Sequence, residues 1–213
     1  MSFLDYLERL SEGFQTTVSL TVLSALGALV LGTVLAAMRV SPVPPLRGAG
    51  LAYVELVRNT PLPVIAVLFA LGLPKLGLFF SFYTWAVLAL SVYTAAFVCE
   101  ALRSGINAVA VGQGEAARAL GLTFGQTMRL VVLPQAFRTV VPPLGNVLIA
   151  LTKNTAVAST ITVADITLLS NGLITSSADP IGVIGASALC YLVLTLPLGL
   201  LVDRVETRVQ VLR

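Results

Sequence analysis

Apolar residues run through this sequence in long unbroken stretches, not in the alternating pattern of a half-buried sheet. Residues 13–38, 76–99 and 180–202 hold no Asp, Glu, Lys or Arg over 26, 24 and 23 positions. A helix needs about 20 mostly apolar residues to cross roughly 30 Å of hydrocarbon, so each run is long enough to span a bilayer. Two more apolar stretches are interrupted by proline. Residues 49–72 carry Glu55 and Arg58 in the first turns and Pro61 and Pro63 beyond them, and residues 135–158 carry Pro142 and Pro143. Proline lacks the backbone donor and crowds the preceding turn, so both stretches are expected to bend. The pattern predicts an all-α membrane protein, one membrane domain over residues 1–213. Five transmembrane helices are expected, over residues 14–38, 49–72, 76–102, 135–158 and 181–202. The Ser41-Pro42-Val43-Pro44-Pro45 run is read as a loop.

Between the third and fourth spans lies a different kind of segment, residues 104–132. Glu115-Ala116-Ala117-Arg118-Ala119-Leu120 is a run of strong helix formers. Gly121 follows in the position where a left-handed glycine stops a helix. A second short helix is expected over 124–132, ending before Pro134.

Composition supports the membrane reading. The chain is 57% hydrophobic and 11% charged with a mean hydropathy of +0.95, against about 25% charged residues in a soluble domain. The net charge of +3 does not point to nucleic acid, because no basic cluster exists. Its distribution instead gives a topology. Arg39, Arg47 and Arg58 flank the first loop; Arg103, Arg118, Arg129 and Arg138 flank the long one; Arg204, Arg208 and Arg213 lie in the tail. Arg9 and Lys75 fall on the other side, and Lys153 falls inside a span. Cationic loops stay in the cytoplasm, which places the N-terminus outside and the C-terminus and long loop on the cytoplasmic side of the membrane. Asp5, Glu8 and Glu12 near the start do not read as a secretory signal. Cys99 and Cys190 sit in or beside apolar runs and read as packing residues. With no His in the chain, a metal site is not expected.

The long loop also carries a specific spacing. Glu115-Ala116-Ala117 is followed by Gly121 after three residues, and then by Val131, Leu133 and Pro134. This resembles the Glu-Ala-Ala, three residues, Gly, nine residues, Ile, one residue, Leu-Pro motif of bacterial type I ABC importer permeases, with Val for Ile. Glu100, Arg103, Gly105 and Ile106 before the loop are similar to a pattern of the polar amino-acid subgroup, the histidine, glutamine and glutamate permeases. So are Arg58-Asn59-Thr60-Pro61-Leu62 and Lys153-Asn154-Thr155-Ala156, with Asn59, Asn154 and Ala156 where that subgroup has Gly, Asp and Ser. The resemblance implies a membrane permease that is not an enzyme and imports a polar amino acid such as glutamate. It implies a cytoplasmic coupling loop in which Glu115, Ala116, Ala117, Arg118, Gly121, Leu133 and Pro134 meet an ATPase. The implied partners are a dimer of ATP-binding subunits that hold ATP and Mg, a second permease (the same or a related chain) and an extracytoplasmic solute-binding protein. Small residues at 116, 117 and 119 suit close insertion into a partner's groove, and Glu115 and Arg118 suit polar contacts at its rim.

Ionisable groups inside spans are costly and therefore mark function. Lys153 is read as a contact for the carboxylate of a passing amino acid, with snorkelling or a pair with Asp165 as the structural alternative. Asn154 and Thr155 beside it, and Arg58 and Thr60 at the Pro61 bend, complete the expected substrate pathway. Glu100–Arg103 and Glu55–Arg58 are spaced i, i+3 and read as structural pairs. Asp165 and Asp179 read as solvated loop carboxylates or contacts for an outer partner. An ion-coupled secondary transporter is the competing reading, but the chain shows no internal repeat. It also lacks any Gly-x-x-x-x-Gly-Lys-Ser/Thr loop of its own to bind ATP.

Overall fold

A computed structural model describes residues 3–176 and 179–210, so Arg213, counted above with the cytoplasmic cations, lies outside the described residues. Nine α-helices are seen among the described residues: α1 Phe3–Val40, α2 Pro44–Arg58, α3 Leu62–Val67, α4 Phe82–Asn107, α5 Val111–Ala119, α6 Phe124–Thr127, α7 Leu133–Asn154, α8 Ile166–Ser176 and α9 Pro180–Gln210. α1, α4 and α9 are each long and apolar enough to cross a membrane alone. Two bent pairs, each apolar enough to be one broken span or a re-entrant loop, bring the number of spans to as many as five: α2 with the segment after Pro61, bent by 102°, and the rod from Phe124 to Ile161 with α8, bent by 57°. The expected all-helical fold is therefore present, with three to five candidate spans.

α4 is the central helix. It packs along α1 and also against α7, α2 and α3. Contact with α1 is made through small side chains: a Cβ at Gly27 would come within 2.5 Å of Ser91 Oγ, and one at Gly32 within 2.5 Å of Val98 Cγ1. Ala89, Ala95 and Ala96 of α4 are fully buried. In lipid there is no hydrophobic drive between helices, so close approach at small residues and interhelical hydrogen bonds hold them together. Tyr83 Oη donates to Ser19 Oγ at 2.8 Å and Tyr53 Oη to the Val92 carbonyl at 2.9 Å, tying α1 and α2 to α4. The opposite faces of α1 and α9 expose Leu26, Val30, Val34, Leu192, Leu196 and Leu200. That is the surface expected of helices that meet lipid or another membrane subunit.

Three expectations change. α1 and α9 extend past the predicted spans, through Asp5, Glu8 and Glu12 at one end and Asp203 to Arg208 at the other. Charge ends a span but not a helix. The segment 124–132 is not a separate helix, since it leads straight into α7 through a π-helical turn, Met128–Val132. Pro134 then falls at the start of α7, where a missing N–H is tolerated, and Gln135 Nε2 donates to the Val131 carbonyl at 2.9 Å. Finally, Pro44 and Pro45, read above as loop, open α2, where proline in the first turn is tolerated.

Candidate functional site: a cytoplasmic loop joined to a cavity between helices

After α4 ends at Asn107, the chain makes the short helix α5. Its end is a Schellman turn: the Leu122 N–H donates to the Ala117 carbonyl at 3.1 Å and the Gly121 N–H to the Arg118 carbonyl at 2.9 Å. Gly121 has φ +82°, the left-handed conformation that glycine adopts without strain. Thr123 then starts α6 with a capping box. Its Oγ1 accepts from the Gln126 N–H at 3.3 Å, while Gln126 Oε1 accepts from the Thr123 N–H at 2.9 Å. The predicted helix and its glycine stop are thus both present.

α5 turns only Ala117 inward, at 3% exposure; Glu115, Ala116 and Arg118 are exposed. Leu120, Phe124, Leu130, Leu133 and Phe137 are also exposed, with Pro134 beside them. A groove of about 510 Å³ runs between Asn107, Val109, Arg118, Phe124 and Met128. Buried Thr127 lines the same groove, and its Oγ1 has no hydrogen-bond partner among the described residues. Of the predicted loop residues, Glu115, Ala116, Arg118, Leu133 and Pro134 thus lie on the protein surface, and Arg118 lines the groove.

From that surface α7 leads back between α1, α4 and α9. Its 22 residues span about 33 Å at 1.5 Å per residue. It crosses α4 at Gly105, where an added Cβ would overlap Val140 Cγ2 and lie 3.1 Å from the Ala136 carbonyl oxygen. Thr139 Oγ1 donates to the Gly105 carbonyl at 3.1 Å. The far part of α7 meets the middle of α4 around a cavity of about 290 Å³, near the lower end of the roughly 300–1,000 Å³ of small-molecule sites. Tyr93, Thr94 and Phe97 line it from α4, and Asn146, Val147, Ala150, Leu151 and Asn154 line it from α7.

Its polar groups are neutral. Thr94 is 3% exposed, and its Oγ1 is buried with no hydrogen-bond partner among the described residues. The rings of Tyr93 and Phe97 lie 5.1 Å apart. The guanidinium carbon of Arg58 stands 5.7 Å from the centroid of Phe97, at the break between α2 and α3. Thr60 in that break is half-buried and donates to the Leu56 carbonyl at 2.8 Å.

The predicted pathway residues are only partly brought together. Asn154 lines the cavity and Arg58 flanks it. Lys153 is exposed and does not line it. Thr155 is fully buried, donating to the Thr152 carbonyl at 2.7 Å. Glu100 does pair with Arg103 at 2.8 Å, and also with Arg39 of α1 at 2.8 Å, a partner that sequence spacing gave no sign of. Glu55 takes Asn59 Nδ2 at 3.3 Å while Arg58 turns to Phe97. Asp165 is not a solvated loop carboxylate: it is 0% exposed, and its Oδ1 accepts from the Leu168 N–H at 2.8 Å to cap α8. Asp179, by contrast, is exposed as expected, and accepts from the Gly182 N–H at 2.9 Å. Thr94, Phe97 and Asn146 were missed. They are neutral residues inside apolar runs, and the only available signal was Asn146 and Asn154 eight apart, on one helix face.

The family described as binding-protein-dependent transport system inner membrane component matches residues 28–211. The chain is 45% identical to the glutamate transport system permease protein GluC of Corynebacterium glutamicum, over 95% of this chain and 94% of that one. It is 40% identical to the probable glutamine ABC transporter permease protein GlnM of Bacillus subtilis, over 93% and 92%. Among solved structures, an amino acid ABC transporter crystallised with histidines superposes with a TM-score of 0.90 at 34% identity, covering 98% of this chain and 99% of that one.

Proposed function

The chain belongs to the family of binding-protein-dependent transport system inner membrane components and is a permease subunit of an amino-acid ABC importer; on that premise we propose that its substrate is glutamate or a close polar relative, passing through the cavity between α4 and α7. The observation that carries the pathway is this cavity itself. It is lined by aromatic Tyr93 and Phe97 and by the amides Asn146 and Asn154, beside a broken helix, and discontinuous helices are where transporters build their sites. The names of the relatives supply the substrate class.

The remaining roles follow from placement. Glu115, Ala116, Ala117, Arg118, Gly121, Leu133 and Pro134 form the docking face for the ATPase pair, which holds ATP and Mg. α7 is the rod that carries its closure to Asn154 and the cavity. The α5 face is inside the cell and the N-terminus outside, a reading that the arginine distribution supports. An open groove of about 590 Å³ lined by Glu8, Arg9, Glu12 and Leu168 faces the solute-binding protein. A second permease, identical or related, covers part of the exposed apolar helix faces. Co-purification of the tagged chain from mild detergent tests the assembly: an ATPase subunit in the eluate is expected, and a chain that purifies alone in several detergents overturns it. Val147→Trp, which fills the cavity, tests the pathway. Assembly with lost uptake is expected, and full uptake overturns the assignment.

A further inference from the structure

We propose that the π turn at Met128–Val132 is the joint at which the cytoplasmic loop swings against α7, and that Gln135 is the positioning residue that sets its resting angle. The inference rests on α7 being the rod that carries ATPase closure, and goes beyond it by assigning the place where that rod bends and the side chain that holds it.

Pro134 offers no N–H, and its ring crowds the carbonyl four residues back, that of Leu130. A π turn is one residue wider than an α turn and moves that carbonyl aside. Here the Leu133 N–H donates to the Met128 carbonyl, five residues back. The same device precedes Pro74: the Leu73 N–H donates to the Leu68 carbonyl at the end of a π turn over Leu68–Gly72. Proline alone does not force such a turn, since α7 passes Pro142 and Pro143 and α9 passes Pro197 in ordinary α geometry. The next residue differs between the two groups. After Pro74 and Pro134 it is Lys75 or Gln135, each with a side-chain donor; after Pro143 and Pro197 it is Leu144 or Leu198. Gln135 uses its donor, giving Nε2 to the Val131 carbonyl at 2.9 Å.

The turn separates two stiff bodies. On one side α5 and α6 are locked by the Gly121 and Leu122 N–H bonds and the Thr123–Gln126 capping box, and they pack on the turn itself. On the other, α7 is packed against α4, α9 and α1. Between them Arg129, Leu130, Leu133, Pro134 and Gln135 are all exposed, so the turn is held by its own bonds more than by packing. Thr127, just before it, leaves a buried Oγ1 without a partner among the described residues, whereas Thr21 and Thr152 bond the carbonyl four residues back at 2.8 and 3.1 Å. One extra residue rotates whatever lies beyond it by about 100° around the helix axis. A small change in this turn therefore re-aims the whole docking face, and the Gln135 bond is what fixes its setting.

The test is L-glutamate moved per ATP hydrolysed by the permease–ATPase complex in proteoliposomes, with the solute-binding protein present and assembly read by co-purification. Gln135→Met, similar in length but without a donor, is expected to assemble and hydrolyse ATP while moving about twofold to tenfold less glutamate per ATP, the factor that one hydrogen bond of ordinary net strength represents. Gln135→Lys restores a donor and is expected to keep about half or more of the wild-type ratio; a role in shape alone gives no such rescue. Wild-type coupling in Gln135→Met, or an equal loss in Gln135→Lys, overturns the assignment. Gly105→Ala, which wedges α7 off α4, separates the two readings. If it uncouples and Gln135→Met does not, the rod stands and the joint falls; if neither uncouples, both fall. Flexing itself is read in Pro134→Ala with Leu130 deleted, which removes the proline and the extra residue together and returns an α-helix in the same register. Assembly with lost coupling is expected of a rod that cannot bend, and wild-type coupling overturns the joint.

Discussion

Substituting Gly105 by Ala is expected to uncouple ATP hydrolysis from uptake, because it pries apart the two helices that wall the cavity. The new methyl would overlap Val140 Cγ2 and lie 3.1 Å from the Ala136 carbonyl oxygen and 3.2 Å from Thr139 Oγ1. Neither side can yield cheaply. Val140 is 5% exposed, and a valine in a helix has essentially one rotamer; the carbonyl belongs to the α7 backbone. α7 must therefore move off α4, stretching the 3.1 Å bond from Thr139 Oγ1 to the Gly105 carbonyl. Overpacking of this kind costs about 1–3 kcal/mol. Thermal unfolding of the purified complex reads the stability, and amino acid moved per ATP hydrolysed reads the coupling. Val140→Ala opens space for the methyl, so the double variant should recover about 1 kcal/mol or more relative to the sum of the singles. A Gly105→Ala complex that melts and transports like wild type refutes the idea that this crossing is tight and that it links loop to cavity.

Other variants probe separate parts of the account. Gly121→Val places a branched side chain at φ +82°, which costs about 1–2 kcal/mol; insertion into the membrane with loss of the co-purifying ATPase is expected. Glu115→Lys, on the exposed face of α5, should leave assembly intact but lower uptake per ATP. Arg39→Gln removes the link between α1 and α4 through Glu100, and a melt should show a loss of about 1.5–3 kcal/mol, smaller in the Arg39→Gln/Glu100→Gln double variant than the sum of the singles. Asp165→Ala removes the cap of α8, costing about 0.5–2 kcal/mol. Stimulation of the ATPase by the solute-binding protein should be unchanged, because the carboxylate is buried.

Much of this architecture is legible in the sequence because the bilayer enforces it: spans need apolar length, and loops keep their arginines. The Pro61 bend, the Gly121 stop and the Glu100–Arg103 pair are local features, set by residues within one or two turns of each other. What sequence hides is of two kinds. Helix continuity was lost wherever a charge or a proline looked like an end. The α1 extension through Glu8 and Glu12 and the rod through Pro134 are cases, since a charged helix can leave the membrane and a π turn can precede a proline. Contacts across the chain were lost as well. Arg39 lies 61 residues from Glu100, and the cavity is made by neutral Thr94, Phe97, Asn146 and Asn154 rather than by an ionisable group. Lys153 drew attention by its charge, but the residue next to it on the helix is the one that faces the cavity.

The most direct test of the central claim is uptake of labelled L-glutamate into proteoliposomes holding the purified permease–ATPase complex, with its solute-binding protein outside and ATP inside. The account predicts accumulation against a gradient that requires ATP and is lost in Val147→Trp. Accumulation driven by an ion gradient without ATP contradicts it.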